Sequence, residues 1–237
     1  MKRLNHSVLI SISMILCSCV NQVNSPSLNS SLVKGVGERN NSENISVIWE
    51  PTPQSVAHGN DGQLLIRASE SMNLLYAAPN KHGEQDLFLS KSRNIGDSFS
   101  KAIQVNSKIG GVSAHGENGP KLRQGKGRGI FAAWIGNRDI KFSRSMDFGR
   151  SFSPSIKVNN DIGKASQSFF TMEIAPSGTI ILAWLDGRDK RTNAPGTSSL
   201  YIARSLDNGA SFGDNIKVAG NICPCCRPAG ANSRPAR

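Results

Sequence analysis

The sequence lacks any long stretch of helical periodicity after its first twenty residues. Its apolar residues alternate with polar ones in short runs such as "DLFLSKS" and "DIKFSRS", and 23 glycines and 11 prolines punctuate the chain. Alternation with a period of two, carried by β-branched and aromatic residues, is typical of half-buried β-strands. These features exclude a helical bundle. They predict an all-β protein that is long enough, at 237 residues, to bury one sizeable core.

The N-terminus has no apolar run of the roughly 20 residues that a membrane-spanning helix needs. The run "VLISISMIL" is much shorter and follows the basic "MKR", an arrangement that is typical of a signal peptide. Leu16, Ser18 and Cys19 resemble a bacterial lipobox, in which the cysteine becomes the lipidated first residue. We therefore expect residues 1–18 to be a lipoprotein signal peptide, and an ordinary signal peptide is the alternative.

The lipobox interpretation implies a lipid-anchored protein of the bacterial cell envelope, facing the periplasm or the surface, or a secreted one if the lipobox is not used. Contact with the membrane is then expected through the lipid on Cys19 alone. Residues 19–44 are rich in Asn and Ser, which predicts a disordered tether. The folded domain is expected over residues 45–237.

The charge balance is basic, but the sequence has no concentrated basic run. It has 28 Lys and Arg against 17 Asp and Glu, a net charge of +11, and the cations are scattered through strands and turns. Scattered cations argue against a nucleic-acid-binding arm, so we expect no nucleic-acid partner. Two interpretations stay open: a basic surface without a specific partner, and attraction to acidic glycans.

The octapeptide pattern Ser-x-Asp-x-Gly-x-x-Phe occurs three times at fairly even spacing, with Asn replacing Asp in the first copy. Repetition of this kind indicates a repeated supersecondary unit. The repeated positions are Ser92, Asn94, Gly96 and Phe99; Ser145, Asp147, Gly149 and Phe152; and Ser205, Asp207, Gly209 and Phe212.

Each octapeptide lies between two alternating runs, so it is predicted to be a turn that joins two antiparallel strands. An Asp or Asn side chain accepts hydrogen bonds from backbone N–H groups in a turn, and a Ser hydroxyl satisfies local backbone groups. Gly adopts φ > 0 without a steric cost. The Phe is expected to hold the turn against the sheet.

The octapeptide resembles the Asp box, or bacterial neuraminidase repeat, of the sialidase-like β-propellers, and the resemblance covers residues 58–220. It implies an all-β propeller of four-stranded blades, in which the Asp box is a fold element that lies away from the active site. It also implies an activity on, or binding of, sialylated or other acidic glycans.

Three blades are expected, over residues 58–107, 115–160 and 166–220, and a fourth is expected to begin near "CPCC". The stretch "NISVIWE" at 44–50 predicts one strand of an incomplete or closing blade. A propeller has roughly four to eight blades, and the resemblance implies six. The chain is therefore expected to be a truncated or frame-shifted product.

In such a blade the Asp-box turn joins the third and fourth strands, so the loops between strands 2 and 3 and between blades emerge on the opposite face. Polar side chains on loops around a pore make a plausible binding site. The alternative is that Arg138–Asp139 and Arg188–Asp189 only brace the blade tops as surface ion pairs. The candidates on this loop face are His115, Glu117, Arg138, Asp139, Asp186, Arg188, Asp189 and Arg227.

The resemblance further implies three arginines that clamp a substrate carboxylate, a tyrosine nucleophile with a glutamate partner, and an acid/base aspartate. Arg67 and Arg123, expected in the first strands of two blades, and Arg227 are candidates for the clamp. The only tyrosines, Tyr76 and Tyr201, fall inside predicted strands and are poorly placed as nucleophiles. A complete sialidase site therefore cannot be mapped onto this chain, and we expect no hydrolysis by it.

Cys223, Cys225 and Cys226 form the other conspicuous cluster. A disulfide is one interpretation in an oxidising compartment, and Cys223–Cys226 is less strained than the vicinal pair. A copper or zinc site, with His115 as a further ligand, is another, because soft thiolates suit Cu(I) and Zn(II). The spacing is not that of a standard zinc site, and no cofactor is otherwise expected.

Three classes of function stay open at this point. They are a sialidase-like glycosidase, a glycan- or protein-binding propeller without catalysis, and a metal- or redox-linked envelope protein that uses the cysteine cluster.

Overall fold

Three four-stranded antiparallel sheets make up the computed structural model of the chain, which describes residues 60–67, 69–163 and 165–231. Cys19, the signal peptide at 1–18, the tether at 19–44 and the strand expected at 44–50 lie outside these residues. No helix in the described ranges is long and apolar enough to cross a membrane. The single helical element there is a 3-10 turn at Gly116–Asn118.

Each sheet is a meander of strands that are consecutive in sequence, and we call the sheets blades A, B and C. Blade A contains β1 Asn60–Ile66, β2 Met72–Pro79, β3 Gln85–Ser92 and β4 Ile103–Gln104. Blade B contains β5 Lys121–Gln124, β6 Ile130–Gly136, β7 Asp139–Ser145 and β8 Ile156–Lys157. Blade C contains β9 Gln167–Ile174, β10 Ile180–Asp186, β11 Ser198–Ser205 and β12 Ile216–Ile222.

The core lies between the blades, in two layers. Strand β6 shows why, because every one of its residues is buried. Phe131, Ala133 and Ile135 face a cluster shared with blade C, whereas Ile130, Ala132 and Trp134 face a cluster shared with blade A. Successive side chains of a strand point to opposite faces, so a strand covered on both faces carries the continuous apolar run "GIFAAWI" rather than an alternating one.

The first strands of the blades lie next to one another, since β5 contacts both β1 and β9. Sheets that are set face to face, with their first strands adjacent, have the arrangement of consecutive propeller blades. The predicted fold class, an all-β β-propeller with three four-stranded blades, is therefore confirmed.

A second repeat accompanies the outer strands of blades A and B. Asn106 accepts a hydrogen bond from Leu87 N at 2.7 Å and donates one to Asp86 Oδ1 at 2.7 Å. Asn159 does the same with Ile140 N at 2.8 Å and Asp139 Oδ1 at 2.9 Å. The asparagine side chain thus accepts a backbone hydrogen bond from β3 or β7 that a neighbouring strand would otherwise accept. This is why β4 and β8 contain two residues each, shorter than the runs "KAIQV" and "PSIKV" predict.

Two further differences from the sequence-based expectation concern the blade ends. Arg67 follows β1, which ends at Ile66, because its N–H donates to Ser71 O in the turn to β2. Residues 223–231 contain no strand, so the described part of the chain shows no strand of a fourth blade.

Candidate functional site

The three octapeptides form turns with nearly the same hydrogen bonds. In blade B, Ser145 Oγ donates to Asp147 Oδ1 at 2.7 Å and accepts from Gly149 N at 2.7 Å. Ser205, Asp207 and Gly209 repeat both contacts at 2.7 and 2.8 Å. The first copy does so at 2.9 and 2.8 Å, with the amide oxygen of Asn94 in place of the carboxylate.

The carboxylates of Asp147 and Asp207 are fully engaged in these turns. Hydrogen bonds from the Ser211 side chain and backbone and from Ser205 hold the pKa of Asp207 well below its usual range. For Asp147, burial would raise the pKa, but hydrogen bonds from Ser151 and Ser145 outweigh it and lower the pKa as well. Carboxylates that accept several hydrogen bonds stay ionised and order the turn, so neither is available as a proton donor.

The turns also join one blade to the next. A Cβ built on Gly149 would lie 2.7 Å from Leu89 Cδ2 of blade A. The Phe212 ring packs edge-on against Phe142 of blade B, with the ring centroids 5.0 Å apart. Arg144 extends the pattern, since its Nη1 donates to the backbone oxygens of Asp207 and Asn208 at 3.2 and 3.3 Å.

On the loop face, Arg188 and Asp186 form the most buried ion pair. Arg188 Nη2 lies 2.8 Å from Oδ2 of Asp186, whose side chain is 0% exposed. Trp184 Nε1 donates to the same oxygen at 2.8 Å, and the guanidinium lies 4.2 Å from the centre of the Tyr201 ring. Burial would lower the pKa of Arg188, but the bond to Asp186 outweighs it and raises it.

Two other aspartates of the loop face, Asp189 and Asp139, are paired too. Asp189 accepts from Tyr201 Oη and from Lys217 Nζ, both at 2.9 Å. Asp139 lies 2.9 Å from Lys141 Nζ and 3.0 Å from Lys157 Nζ. These contacts favour the bracing interpretation of this face.

The remaining loop-face candidates lie apart from one another. Arg138 occupies a two-residue turn with Asn137, at φ 69 and 53 respectively. His115 and Glu117 are exposed at the 3-10 turn. Asn118 anchors this turn, because its side chain accepts a hydrogen bond from Phe169 N at 2.7 Å.

The three candidate clamp arginines do not converge. Arg123 on β5 pairs with Glu173 of β9 at 2.9 Å. Arg227 is exposed on the segment after β12. It lies near Arg123, because both arginines affect Lys121: burial first, and then the charges of Arg227 and Arg123, lower the pKa of Lys121 to about 8. Arg67 lies elsewhere, with its guanidinium 4.5 Å from the centre of the ring of Phe148, which belongs to the octapeptide turn of blade B.

Arg67 belongs to a basic cavity between the octapeptide-turn ends of blades A and B. The cavity has a volume of about 220 Å³, and we call it the basic pocket. Its lining residues are Arg67, Ser71, Met72, Asn73, Lys91, Ser92, Arg93, Phe148 and Arg150.

The basic pocket carries an excess of positive charge. Four of its lining residues are cations, and none of these four forms an ion pair within the described residues. Burial lowers the pKa of Lys91; nearby Asp147 raises it, and Arg150, Arg93 and Arg67 each lower it by less than that. Asp147 is hydrogen-bonded within the octapeptide turn, and its single negative charge offsets only part of the charge of the four cations.

The sequence-based interpretation missed three of these cations, Lys91, Arg93 and Arg150. A signal existed, because "SKS" and "SRS" place Lys91 and Arg144 at equivalent positions of two blades. Both side chains point toward the octapeptide turn of the following blade. The convergence on one cavity depends on blade packing, which spacing alone does not give.

The two tyrosines lie within strands. Tyr76 is buried in β2, and its hydroxyl lies 3.5 Å from Ser90 Oγ. Burial first and then the bond to Asp189 raise the pKa of Tyr201 to about 12. A phenol in that state stays protonated at neutral pH, which does not suit a nucleophile.

The cysteine cluster follows β12 directly. Cys226 N donates to Cys223 O at 3.2 Å, forming a tight turn, and the Sγ atoms of Cys223 and Cys225 lie 2.7 Å apart. The three Sγ atoms all lie within 4.8 Å of one another, and this group of described residues contains no histidine or carboxylate. The structure therefore does not bring His115 to the cysteines.

Sequence comparison gives no further assignment, because no family model and no curated protein matches the chain. Among solved structures, an ulvan lyase is similar at 15% identity over 66% of this chain and 43% of its own, with a TM-score of 0.46. An α-L-arabinanase of Penicillium chrysogenum is similar at 15% identity over 66% of this chain and 49% of its own, with a TM-score of 0.49. A Hadza microbial sialidase is similar at 17% identity over 64% of this chain and 36% of its own, with a TM-score of 0.43. The chain thus spans less than half the length of each, and at these identities the likeness concerns the fold alone.

Proposed function

We propose that this chain is a sialidase-like β-propeller of the bacterial cell envelope that binds acidic glycans in the basic pocket without hydrolysing them. The Asp-box turns, with their repeated Ser-Asp-Gly hydrogen bonds, support the sialidase-like assignment. Lipid anchoring through Cys19 is part of the proposal.

One observation carries the choice of site. On the loop face Asp139, Asp186 and Asp189 are paired with Arg or Lys partners, whereas four cations surround one cavity with no ion-pair partner in the described ranges: Arg67, Lys91, Arg93 and Arg150. An anion that enters this cavity relieves the mutual repulsion of the cations. A carboxylate or sulfate suits it, because guanidinium groups bind such planar or tetrahedral oxyanions through paired hydrogen bonds.

The dimensions and the aromatic ring favour a sugar as the carrier of the anion. A volume of about 220 Å³ is below the range of about 300–1,000 Å³ that is usual for larger ligands, so it fits a single charged unit. Phe148 offers a partly exposed apolar surface beside the cations. Further units of an acidic chain can extend over the exposed Arg93 and Arg150.

The proposal that the chain does not hydrolyse its ligand rests on the positions of the tyrosines and the arginines. Tyr201 donates its hydroxyl to Asp189 and Tyr76 is buried, and the three clamp candidates lie in two separate places. Hydrolysis requires a nucleophile, an acid and a clamp that converge on one sugar ring. We expect no turnover of a fluorogenic sialoside by the purified chain, and turnover that survives repurification would contradict this part.

Binding is tested by titrating the purified chain with a sialylated, a sulfated and a neutral oligosaccharide. We expect both acidic ligands to bind, with an affinity that falls as salt is added, and the neutral one not to bind. Arg93→Gln and Arg150→Gln should each weaken binding about tenfold, the value of one charge-assisted hydrogen bond of about 1.5 kcal/mol.

Arg191→Gln is the matched control, since Arg191 is exposed in the loop between β10 and β11 on the other face. It should leave the affinity unchanged. Equal losses in all three variants would mean that net charge alone attracts the ligand. Tighter binding of a DNA duplex than of the acidic oligosaccharides would also overturn the proposal.

Anchoring is tested separately by Cys19→Ala in the full precursor. We expect the variant to lose lipid labelling, because the thiol that carries the lipid is gone, and either to leave the membrane fraction or to accumulate as the unprocessed precursor. A variant that is processed and anchored as the parent is would remove the lipoprotein part of the proposal and leave glycan binding intact.

A further inference from the structure

The segment after β12 concentrates three thiols on one side of a tight turn. Cys226 N donates to Cys223 O at 3.2 Å, which folds the four residues back on themselves. The Sγ atoms of Cys223 and Cys225 lie 2.7 Å apart, and those of all three cysteines lie within 4.8 Å of one another. Pro224 lies within the turn and Pro228 follows it by two residues; each proline ring fixes φ at its own position, so a ligand needs little reorganisation to be bound.

Positive charge lies beside the cysteine turn. Arg227 is adjacent in sequence and close enough to Lys121 to affect its pKa, which places two cations in this region. A thiolate is the form that binds metal ions.

The donor set discriminates between metals. Within the described residues the group offers three sulfur atoms and no imidazole or carboxylate. Structural zinc sites are almost always tetrahedral with four protein ligands, and hard cations such as Ca²⁺ and Mg²⁺ take oxygen ligands. Soft thiolates select Cu(I), which is stable with three sulfur ligands in a plane.

We propose that Cys223, Cys225 and Cys226 bind one Cu(I) ion as a three-thiolate site. Binding replaces each thiol proton by a bond from sulfur to copper, so three protons are released per ion and no electron is transferred. All three cysteines are exposed, so a soluble Cu(I) donor can reach them directly. The site lies on a segment that the glycan proposal does not use, and either proposal can fail without the other.

The experiment uses the full chain with Cys17→Ser and Cys19→Ser, so that the N-terminal cysteines do not contribute. The reduced protein is titrated anaerobically with Cu(I) in competition with a chromophoric Cu(I) chelator. We expect one Cu(I) per chain, a sulfur-to-copper charge-transfer band in the near ultraviolet, and three sulfur neighbours by X-ray absorption spectroscopy.

Cys223→Ser, Cys225→Ser and Cys226→Ser, made singly in that background, should each weaken Cu(I) binding at least tenfold, and the triple variant should abolish it. Unfolding curves that match those of the parent show that the loss is local, since the turn is exposed. Full Cu(I) binding by the triple variant, a preference for Zn(II) in direct competition, or a disulfide that persists under reductant would each overturn the proposal.

Discussion

Gly209 in the octapeptide turn of blade C lies directly against the ring of Phe142 in β7 of blade B. A Cβ built on Gly209 would lie 2.6 Å from Cζ of Phe142, whose side chain is 0% exposed, and 3.3 Å from Cδ1 of Ile180. Gly209 also has φ 78, a conformation that L-residues avoid. The glycine of the repeat thus serves two needs, the turn itself and the close approach of neighbouring blades.

The equivalent glycine of blade A provides a matched test. Gly96 has φ 98, but the nearest atom to its built Cβ is Met72 Sδ at 3.7 Å. Gly96→Ala should therefore lower the free energy of unfolding by about 1–2 kcal/mol, the cost of the left-handed conformation. Gly209→Ala should cost about 1–3 kcal/mol more, since it also overpacks the core. Urea unfolding measures both, and equal losses would show that the turn does not pack between blades.

The residue before this glycine gives a stabilising substitution. Ile95, Phe148 and Asn208 precede the three glycines, and they have φ values of 56, 62 and 57. Asn tolerates this region, whereas a β-branched residue is strained there. Ile95 is also 50% exposed, so little packing is lost on its replacement.

We expect Ile95→Asn to raise the free energy of unfolding by about 1 kcal/mol, measured by thermal and urea denaturation. Ile109→Asn is the control, because Ile109 is 64% exposed and has a negative φ. A gain in both variants would mean that removal of exposed apolar surface, and not relief of strain, is the cause.

The sequence was sufficient for the blades and insufficient for the contacts between them. Alternation and the octapeptide predict strands β7 and β11 nearly to their bounds, because both signals are local. The pair Arg123–Glu173 joins positions 50 residues apart, and nothing in the spacing marks it. Asn106 and Asn159 each follow the aspartate that they contact by 20 residues. The dipeptide "VN" therefore recurs in the sequence, but its role is evident only once the strands are paired.

The pH dependence of stability tests the aspartate carboxylates of the octapeptide turns. The pKa of Asp207 is lowered in the folded state, chiefly by bonds from Ser211. Its contribution to stability is therefore fully present above the unfolded-state pKa of about 3.9 and is lost as the pH falls toward the folded-state pKa.

Asp207→Asn should flatten this acid-side decline, while costing about 1 kcal/mol at neutral pH through weaker hydrogen bonds. Asn94 in blade A shows that an amide can occupy this position of the turn. Urea unfolding from neutral pH down to about pH 2 makes the comparison. Ser211→Ala, which removes a donor to Asp207, should flatten the decline in the same direction. Parallel curves for parent and variants would contradict this role.

The loop face is tested through Arg188. Arg188→Gln removes the cation beside the buried carboxylate of Asp186, and a buried charge without its partner costs about 3–5 kcal/mol. The folded fraction should bind acidic oligosaccharides as before. Arg191→Gln in the same loop should change stability by less than about 0.5 kcal/mol. Loss of binding with unchanged stability would identify Arg188 as a ligand-binding residue and not a brace.

The most direct measurement for the whole account is an NMR titration of the ¹⁵N-labelled chain with a sialylated or sulfated oligosaccharide. The basic pocket predicts that the amides of residues 91–93 and 147–150, beside Lys91 and Phe148, shift in a saturable way. A neutral oligosaccharide of the same length should shift none of them. Saturable shifts confined to the loop face at residues 136–139 and 187–189, with the pocket amides unmoved, would contradict the proposed site.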